Sequence, residues 1–364
     1  MAASIVLAQG PTVVAIGDRH LWRERVDSPS GFDKASRAAI LVYVRKLQDR
    51  KTAEIKQAAR ASVLKWLDKE LSLSLSNYQL AAKTCTPADW TCIGNPSDPA
   101  EPSATASTIA VPADLMQWKA NMERFASDYI GEQVRLAALF PRITSEIDLF
   151  DENEFNGDLL ADRKFFLTID DGPTPAGGNT DRVLQMLSAN HKTAVFFLLG
   201  SNLKSRLRET SAAKLASSYQ RQCIASHGWE HLAHVASTPW KDGRTWKMSV
   251  TETEALLRST FASGIDVIPL FRPPYGQRRA DAKAFFQEQG LHIALWDIDS
   301  QDWNSKLNAD DVTNRAETLM LIKRHGILLL HDVFPKAKIA VPLIIENFAT
   351  AISWGDCRQI TEAF

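Results

Sequence analysis

From residue 164 onward, short β-rich apolar runs alternate with amphipathic stretches, and this alternation limits the fold more than any other feature. The runs are "KFFLTI" (164–169), "TAVFFLL" (193–199), "QCIA" (222–225), "VIPLF" (267–271), "HIALWDI" (292–298) and "GILLLH" (326–331). The stretches near 180–190, 204–220, 249–263, 279–289 and 310–324 carry helical spacing. Strand followed by helix, repeated in this way, predicts parallel strands joined by crossover helices. Two architectures satisfy the pattern, a β/α barrel and a doubly wound sheet. Both place their active sites where strands end and loops begin.

The first 150 or so residues read differently. Ile40, Val44, Leu47, Ile55, Ala59, Val63 and Trp66 largely keep a spacing of three or four, which predicts helix over 34–70 with Asp33 as its N-cap. Residues 94–113 are rich in Pro, Ser, Ala and Thr and read as a linker. Leu115, Trp118, Met122, Phe125 and Tyr129 form one apolar stripe of a further helix, a helix–helix core contact. The expected organisation is thus a mostly α-helical domain, 1–155, before an α/β domain, 156–364.

Of the 364 residues 23% are charged, yet the net charge is only −1, so there is no electrostatic case for nucleic acid or an anionic membrane surface. No apolar run reaches the ~20 residues of a membrane span. The opening "MAASIVLAQGPTVVAIG" lacks a basic n-region and reads as an ordinary terminal strand or as the remnant of a leader. Four cysteines favour an oxidising compartment: Cys85 and Cys92 suit a small disulfide loop, and Cys223 and Cys357 can meet in a closed fold.

Ionisable residues gather at the predicted strand ends. The first strand ends in Asp170-Asp171, the third in "SHGWEH" with His227 and His231, and the fourth in "FRPPYG" with Arg272 and Tyr275. The fifth ends in "WDIDSQDW" with Asp299, Asp302 and Trp303, and the sixth in "LLLHD" with His331 and Asp332. Two neutral imidazoles and a carboxylate leave an open position on a divalent ion, the mark of a catalytic metal site. His234 competes for the third place. The paired aspartates can divide the work: one binds the metal, and the other takes a proton from water whose pKa the metal lowers from 15.7 to about 7. An Asp-Gly-Pro turn alone needs only one aspartate.

The stretches "TIDDGP", "HGWEH", "RPPYG", "DSQDW" and "LLLHD" occur in the order and approximate spacing of the five motifs of the polysaccharide deacetylases, carbohydrate esterase family 4, the NodB homology domain. Residues 160–355 or so resemble that family; the first 150 do not. The resemblance implies a distorted (β/α) barrel. It implies Asp170 as general base, Asp171, His227 and His231 as the metal triad, and Arg272 as the group orienting the base. It further implies a Tyr275 backbone N–H on the oxyanion, Asp302 setting the charge of the acid His331, and Trp303 and Leu329 walling an acetate pocket. Gly228 stands where the family usually has Ser or Thr, and Leu232 where Pro is common; the missing hydroxyl puts the bracing of the histidine loop in question.

The chemistry these residues support is hydrolysis of an amide. The tetrahedral oxyanion needs the metal and a backbone donor. The poor amine leaving group needs a separate acid, which His331 beside Asp302 can supply. The expected enzyme is a metal-dependent, zinc-loaded N-deacetylase of N-acetylglucosamine residues in a polymer, peptidoglycan first, chitin or its oligomers second and acetylated xylan third, working in the periplasm or secreted. The contrasting classes are a non-catalytic carbohydrate-binding protein and a non-haem iron enzyme.

Overall fold

The computed structural model describes residues 13–93, 110–261 and 264–363. The linker expected at 94–113 lies outside these residues for all but its last four positions, and so does most of the apolar N-terminal stretch. The chain divides into two compact units, one of residues 1–143, 310–324 and 344–352, the other of 144–309, 325–343 and 353–364.

The first unit is helical. Helices α1 (Pro29–Thr52), α2 (Arg60–Ala82) and α3 (Met116–Leu139) make its frame. The single helix expected over 34–70 is broken between residues 52 and 60, where a 3-10 turn over Gln57–Ala59 intervenes. The N-cap is Ser28, whose side chain accepts from the Gly31 N–H, with Pro29 at the first helical position. Asp33 therefore lies inside α1, buried and paired with Arg324 at 2.7 Å. Ile40, Leu41, Val44, Tyr78 and Ala82 form the α1–α2 core. Trp118, Met122, Phe125 and Tyr129 of α3 are all buried, as their stripe predicts.

The second unit carries one parallel sheet. Its strands are β1 (Glu154–Phe155), β2 (Lys164–Asp170), β3 (Ala194–Leu198), β4 (Cys223–Ser226), β5 (Asp266–Phe271), β6 (His292–Ala294), β7 (Ile298–Asp299), β8 (Gly326–His331) and β9 (Ser353–Trp354). The order is β1-β6-β5-β4-β3-β2-β8-β7, with β9 paired to β2. Crossover helices include α4 (Asn179–Ala189), α5 (Gly200–Arg206), α6 (Ala212–Ser218), α7 (Trp246–Thr260) and α8 (Lys283–Glu288). The run expected as one strand over 292–298 is two: β6 pairs with β5, and after a three-residue bend β7 pairs with β8. That bent run brings the two ends of the sheet together, giving a distorted (β/α) barrel. The Asp297 carboxylate fixes the seam, accepting the Gly157 N–H at 2.8 Å and the Ile327 N–H at 2.7 Å.

Inside the barrel Phe166, Val195, Phe197, Ala225, Trp296, Ile327 and Leu329 pack as one core cluster. Cys223 belongs to it and is bonded to Cys357, and Cys85 is bonded to Cys92 in the helical unit.

The sequence pattern put the unit boundary at 155/156 and read residues 310–324 as a barrel crossover. The compact units divide at 143/144 instead, because β1 (Glu154–Phe155) hydrogen-bonds into the sheet beside β6. Helix α9 (Ala309–Lys323) groups with the helical unit. Its polar side chains have partners there: Arg315 on Glu132 at 2.8 Å and Lys323 on Glu70 at 2.8 Å.

Candidate active site and metal centre

The candidate residues stand at the C-terminal ends of the parallel strands, and their backbones continue the sheet's hydrogen bonding. The Asp171 N–H donates to the Phe197 carbonyl (3.2 Å), the His227 N–H to Leu198 (3.0 Å), and the Arg272 N–H to Ser226 (2.9 Å). Each side chain thus starts one residue beyond its strand from a backbone that a neighbouring strand holds.

Asp170 is the last residue of β2 and is 2% exposed. Arg272, fully buried, donates through Nη1 to Asp170 Oδ1 at 2.8 Å and to Thr168 Oγ1 at 2.7 Å. Its Nε and Nη2 donate to the carbonyls of Ala294 and Leu295 at 3.1 Å each, and its guanidinium lies 4.1 Å from the centre of the Phe197 ring. Burial works against the Arg272 charge and Asp170 sustains it. A buried ion pair is tolerable only when its remaining hydrogen-bonding groups are satisfied, as here.

Asp171 adopts a left-handed backbone, φ 79°, a conformation in which Asp is enriched among non-glycine residues. On an extended chain neighbouring side chains point to opposite faces. The left-handed turn breaks that alternation, and both carboxylates reach the same cleft. The Asn202 side chain holds the Asp171 carbonyl at 2.8 Å.

Asp171 Oδ1 lies 3.3 Å from His227 Nε2 and 3.5 Å from His231 Nε2. One ligand atom from each of the three residues lies within 4.8 Å of the others. His227 Nδ1 is 2.6 Å from the Arg272 carbonyl. A carbonyl only accepts, so Nδ1 donates there and Nε2 is the ring atom turned toward Asp171. Asp171 Oδ1 and His227 Nε2 are both buried and have no hydrogen-bond partner. Burial pushes His231 down to about 4, with His227 and His331 adding to it against Asp171, so that ring is neutral at pH 7. Burial pushes the Asp171 carboxyl up, but His227, His231 and His331 prevail and hold it well below the usual carboxylate range. Two imidazole Nε2 atoms and a carboxylate, with orphaned buried atoms aimed at one point, fit a divalent cation.

His234, the competitor for the third place, is not in this set. It is 1% exposed, hydrogen-bonded through Nε2 to Ser249 Oγ at 3.0 Å and packed on Phe271 and Trp240.

Across the cleft His331 ends β8. Its Nδ1 is 2.7 Å from Asp302 Oδ1, and its own N–H donates to Asp302 Oδ2 at 2.8 Å. Burial alone lowers a histidine pKa, but Asp302, aided by Asp171 and Asp170, raises His331 to about 10. His331 is an imidazolium at neutral pH in this electrostatic setting. Lys336 Nζ donates to the carbonyls of Asp302 (3.1 Å) and Asn304 (2.5 Å), tying down the loop that carries Asp302.

Tyr275, 52% exposed with φ 61°, sets its ring edge-on to His231 at 4.4 Å. Trp303 follows Asp302 and is half-buried, and Leu329 on β8 is 4% exposed among the barrel core. Motif reading does not single out Thr168, Asn202, Ser249 or Lys336. Thr168 stands two residues before Asp170, on the same face of β2, and that period-two signal was available in the sequence. The other three come from separate parts of the chain.

Residues 160–294 match the polysaccharide deacetylase family. The chain is 27% identical over 224 residues to a peptidoglycan-N-acetylglucosamine deacetylase of Bacillus cereus, covering 59% of this chain and 74% of that protein. It is 29% identical over 167 residues to a bifunctional xylanase/xylan deacetylase of Cellvibrio japonicus, covering 46% of this chain but spanning only 22% of that protein. The crystal structure of the Bc1960 peptidoglycan N-acetylglucosamine deacetylase superposes with a TM-score of 0.46 at 24% identity, over 56% of this chain and 89% of that one. The part of the barrel formed by residues 160–294 is thus similar to the polysaccharide deacetylases, carbohydrate esterase family 4.

Proposed function

We propose that this protein removes N-acetyl groups from N-acetylglucosamine residues of a polysaccharide, peptidoglycan first, by metal-dependent hydrolysis of the amide. The observation that carries the reading is the convergence of two charged pairs, Asp170–Arg272 and Asp302–His331, on either side of the Asp171–His227–His231 set. One pair suits a base and the other an acid, and amide hydrolysis requires both.

Asp171, His227 and His231 would hold the cation, zinc by its preference for two imidazoles and a carboxylate with a position open. Bound there, it would supply Lewis acidity, polarising the acetyl carbonyl and acidifying water. Asp170, kept in place by Arg272, which Thr168 in turn holds, accepts the proton of the attacking water. The Tyr275 backbone N–H, presented by the left-handed turn, donates to the developing oxyanion. His331, charged through Asp302, delivers a proton to the departing amine, so the sugar leaves as a free amine with acetate as co-product. Trp303 and Leu329 are assigned to the walls of the acetyl pocket; Leu329 lies on the barrel-facing side of β8 two residues before His331.

The B. cereus relative's substrate favours peptidoglycan over chitin oligomers and acetylxylan, the alternatives. Two disulfides favour a periplasmic or secreted site of action. Among the described residues no helix is long and apolar enough to cross a membrane. The helical unit is proposed as an accessory domain and the unit that carries the parallel sheet as the catalytic barrel.

The test is acetate release from intact sacculi and from chitooligosaccharides, with and without a chelator. Release that stops on chelation and returns with zinc is expected. A fully metal-loaded protein that frees no acetate from either substrate refutes the deacetylase reading.

A further inference from the structure

We infer that Ser249, on helix α7 and outside every motif of the site, is the positioning residue for the loop carrying His227 and His231. The inference rests on the reading of those histidines as metal ligands.

A loop of three residues joins the two histidines, and its middle must be held if both Nε2 atoms are to keep their places. Position 228, directly after His227, has no side chain to contribute. It cannot accept one either: its φ is +82°, and a Cβ there would stand 2.7 Å from His234 Cε1, 2.8 Å from His234 Nε2 and 3.0 Å from Ser249 Oγ. The space beside Gly228 is thus filled by a hydroxyl and an imidazole from elsewhere.

Those two groups do the fastening. Ser249 Oγ accepts the Trp229 N–H at 2.7 Å, at the centre of the loop, and is 3.0 Å from His234 Nε2. Ser249 is fully buried and His234 is 1% exposed, so no water competes for these bonds. The Gly228 N–H adds a longer bond to Ser226 Oγ at 3.3 Å, and the loop's Trp229 carbonyl accepts the Ser201 N–H at 2.9 Å. His234 is itself anchored, its N–H donating to the Gln277 carbonyl at 3.1 Å. Ser249 therefore links the ligand loop to α7 and, through His234, to the segment after Arg272. Groups that orient metal ligands from behind typically change metal affinity 10–100-fold when removed.

The experiment is zinc titration of the chelator-stripped full chain against a chromophoric competitor, with Ser249→Ala and Ser249→Cys, and with the thermal midpoint of each metal-free protein as a fold control. The expected order of affinity is Ser above Cys above Ala, with Ala about 10–100-fold weaker than wild type while the metal-free protein still melts cooperatively. If the alanine protein does not fold, the near-isosteric cysteine variant decides, with weaker zinc binding expected because a thiol is the poorer acceptor. Wild type that binds zinc while the folded variants bind it equally well overturns the role of Ser249. Wild type that binds no zinc overturns the metal reading itself.

Discussion

Replacing Asp302 by Asn isolates what the acid–carboxylate pair contributes. Asp302 is fully buried and touches both Nδ1 and the backbone N–H of His331. A lift of the His331 pKa from 6.5 to about 10 corresponds to about 5 kcal/mol of preference for the imidazolium. Asn keeps the shape and one acceptor but not the charge. Burial then opposes protonation with only the more distant Asp170 and Asp171 against it, and the pKa falls to the ordinary 6.5 or below. At pH 8 the protonated fraction drops from about 99% to about 3% at most, a loss of roughly 30-fold or more in acid form, growing about tenfold per pH unit until the wild-type pKa is reached. Two measurements report it: the pH profile of acetate release by the zinc-loaded proteins, and an NMR titration of His331 in the metal-free ones. The alkaline limb should move down by several pH units, with activity partly recovered toward pH 6. Stability carries the same signature. A raised folded-state pKa stabilises the native protein fully below about 6.5, and that stabilisation is lost as pH rises toward about 10. Wild-type stability should therefore decline across that window, and the Asn variant should show a flatter profile. An unmoved alkaline limb together with an unchanged His331 titration refutes the reasoning.

Arg272→Met leaves Asp170 buried without its cation and should cost about 3–5 kcal/mol in denaturant unfolding, along with the activity; stability within 1 kcal/mol of wild type means the pair is not structural. Asp171→Asn keeps the volume but removes the only carboxylate of the metal set, so zinc bound per chain after dialysis should fall well below one, and full occupancy contradicts the assignment. Separate Cys→Ser replacement of the two disulfides should cost about twice as much for Cys223–Cys357 as for Cys85–Cys92, about 5 against 2.5 kcal/mol by loop entropy. Equal costs in urea melts would remove that loop-length argument.

Much of the fold was legible because parallel strands buried on both faces are continuous apolar runs, and their ends stand out where charge begins. The Asp170-Asp171, His227, Arg272, Asp302 and His331 positions declared themselves in this way. Three features were hidden. The run over 292–298 is apolar except at His292 and Asp297, and one aspartate near its end does not mark the bend that splits it into β6 and β7. Helix α9 has buried residues around much of its circumference, and only pairing with Glu132 and Glu70 settles where it packs. His234 has the same residue type and nearly the same spacing as the other histidines, so only its burial against Ser249 separates it from them.

The sequence by itself determined the alternation of strand and helix, the boundaries of most strands, and which residue types stand at the strand ends. These are local properties, set by periodicity and by the chemistry of single side chains. Tertiary structure alone decided that the sheet closes, that a left-handed Asp171 turns two adjacent carboxylates into one cleft, and that Thr168, Asp170 and two carbonyls converge on Arg272. The contacts on Arg272 join residues 22 to 104 positions apart, and no local pattern encodes a distance between them.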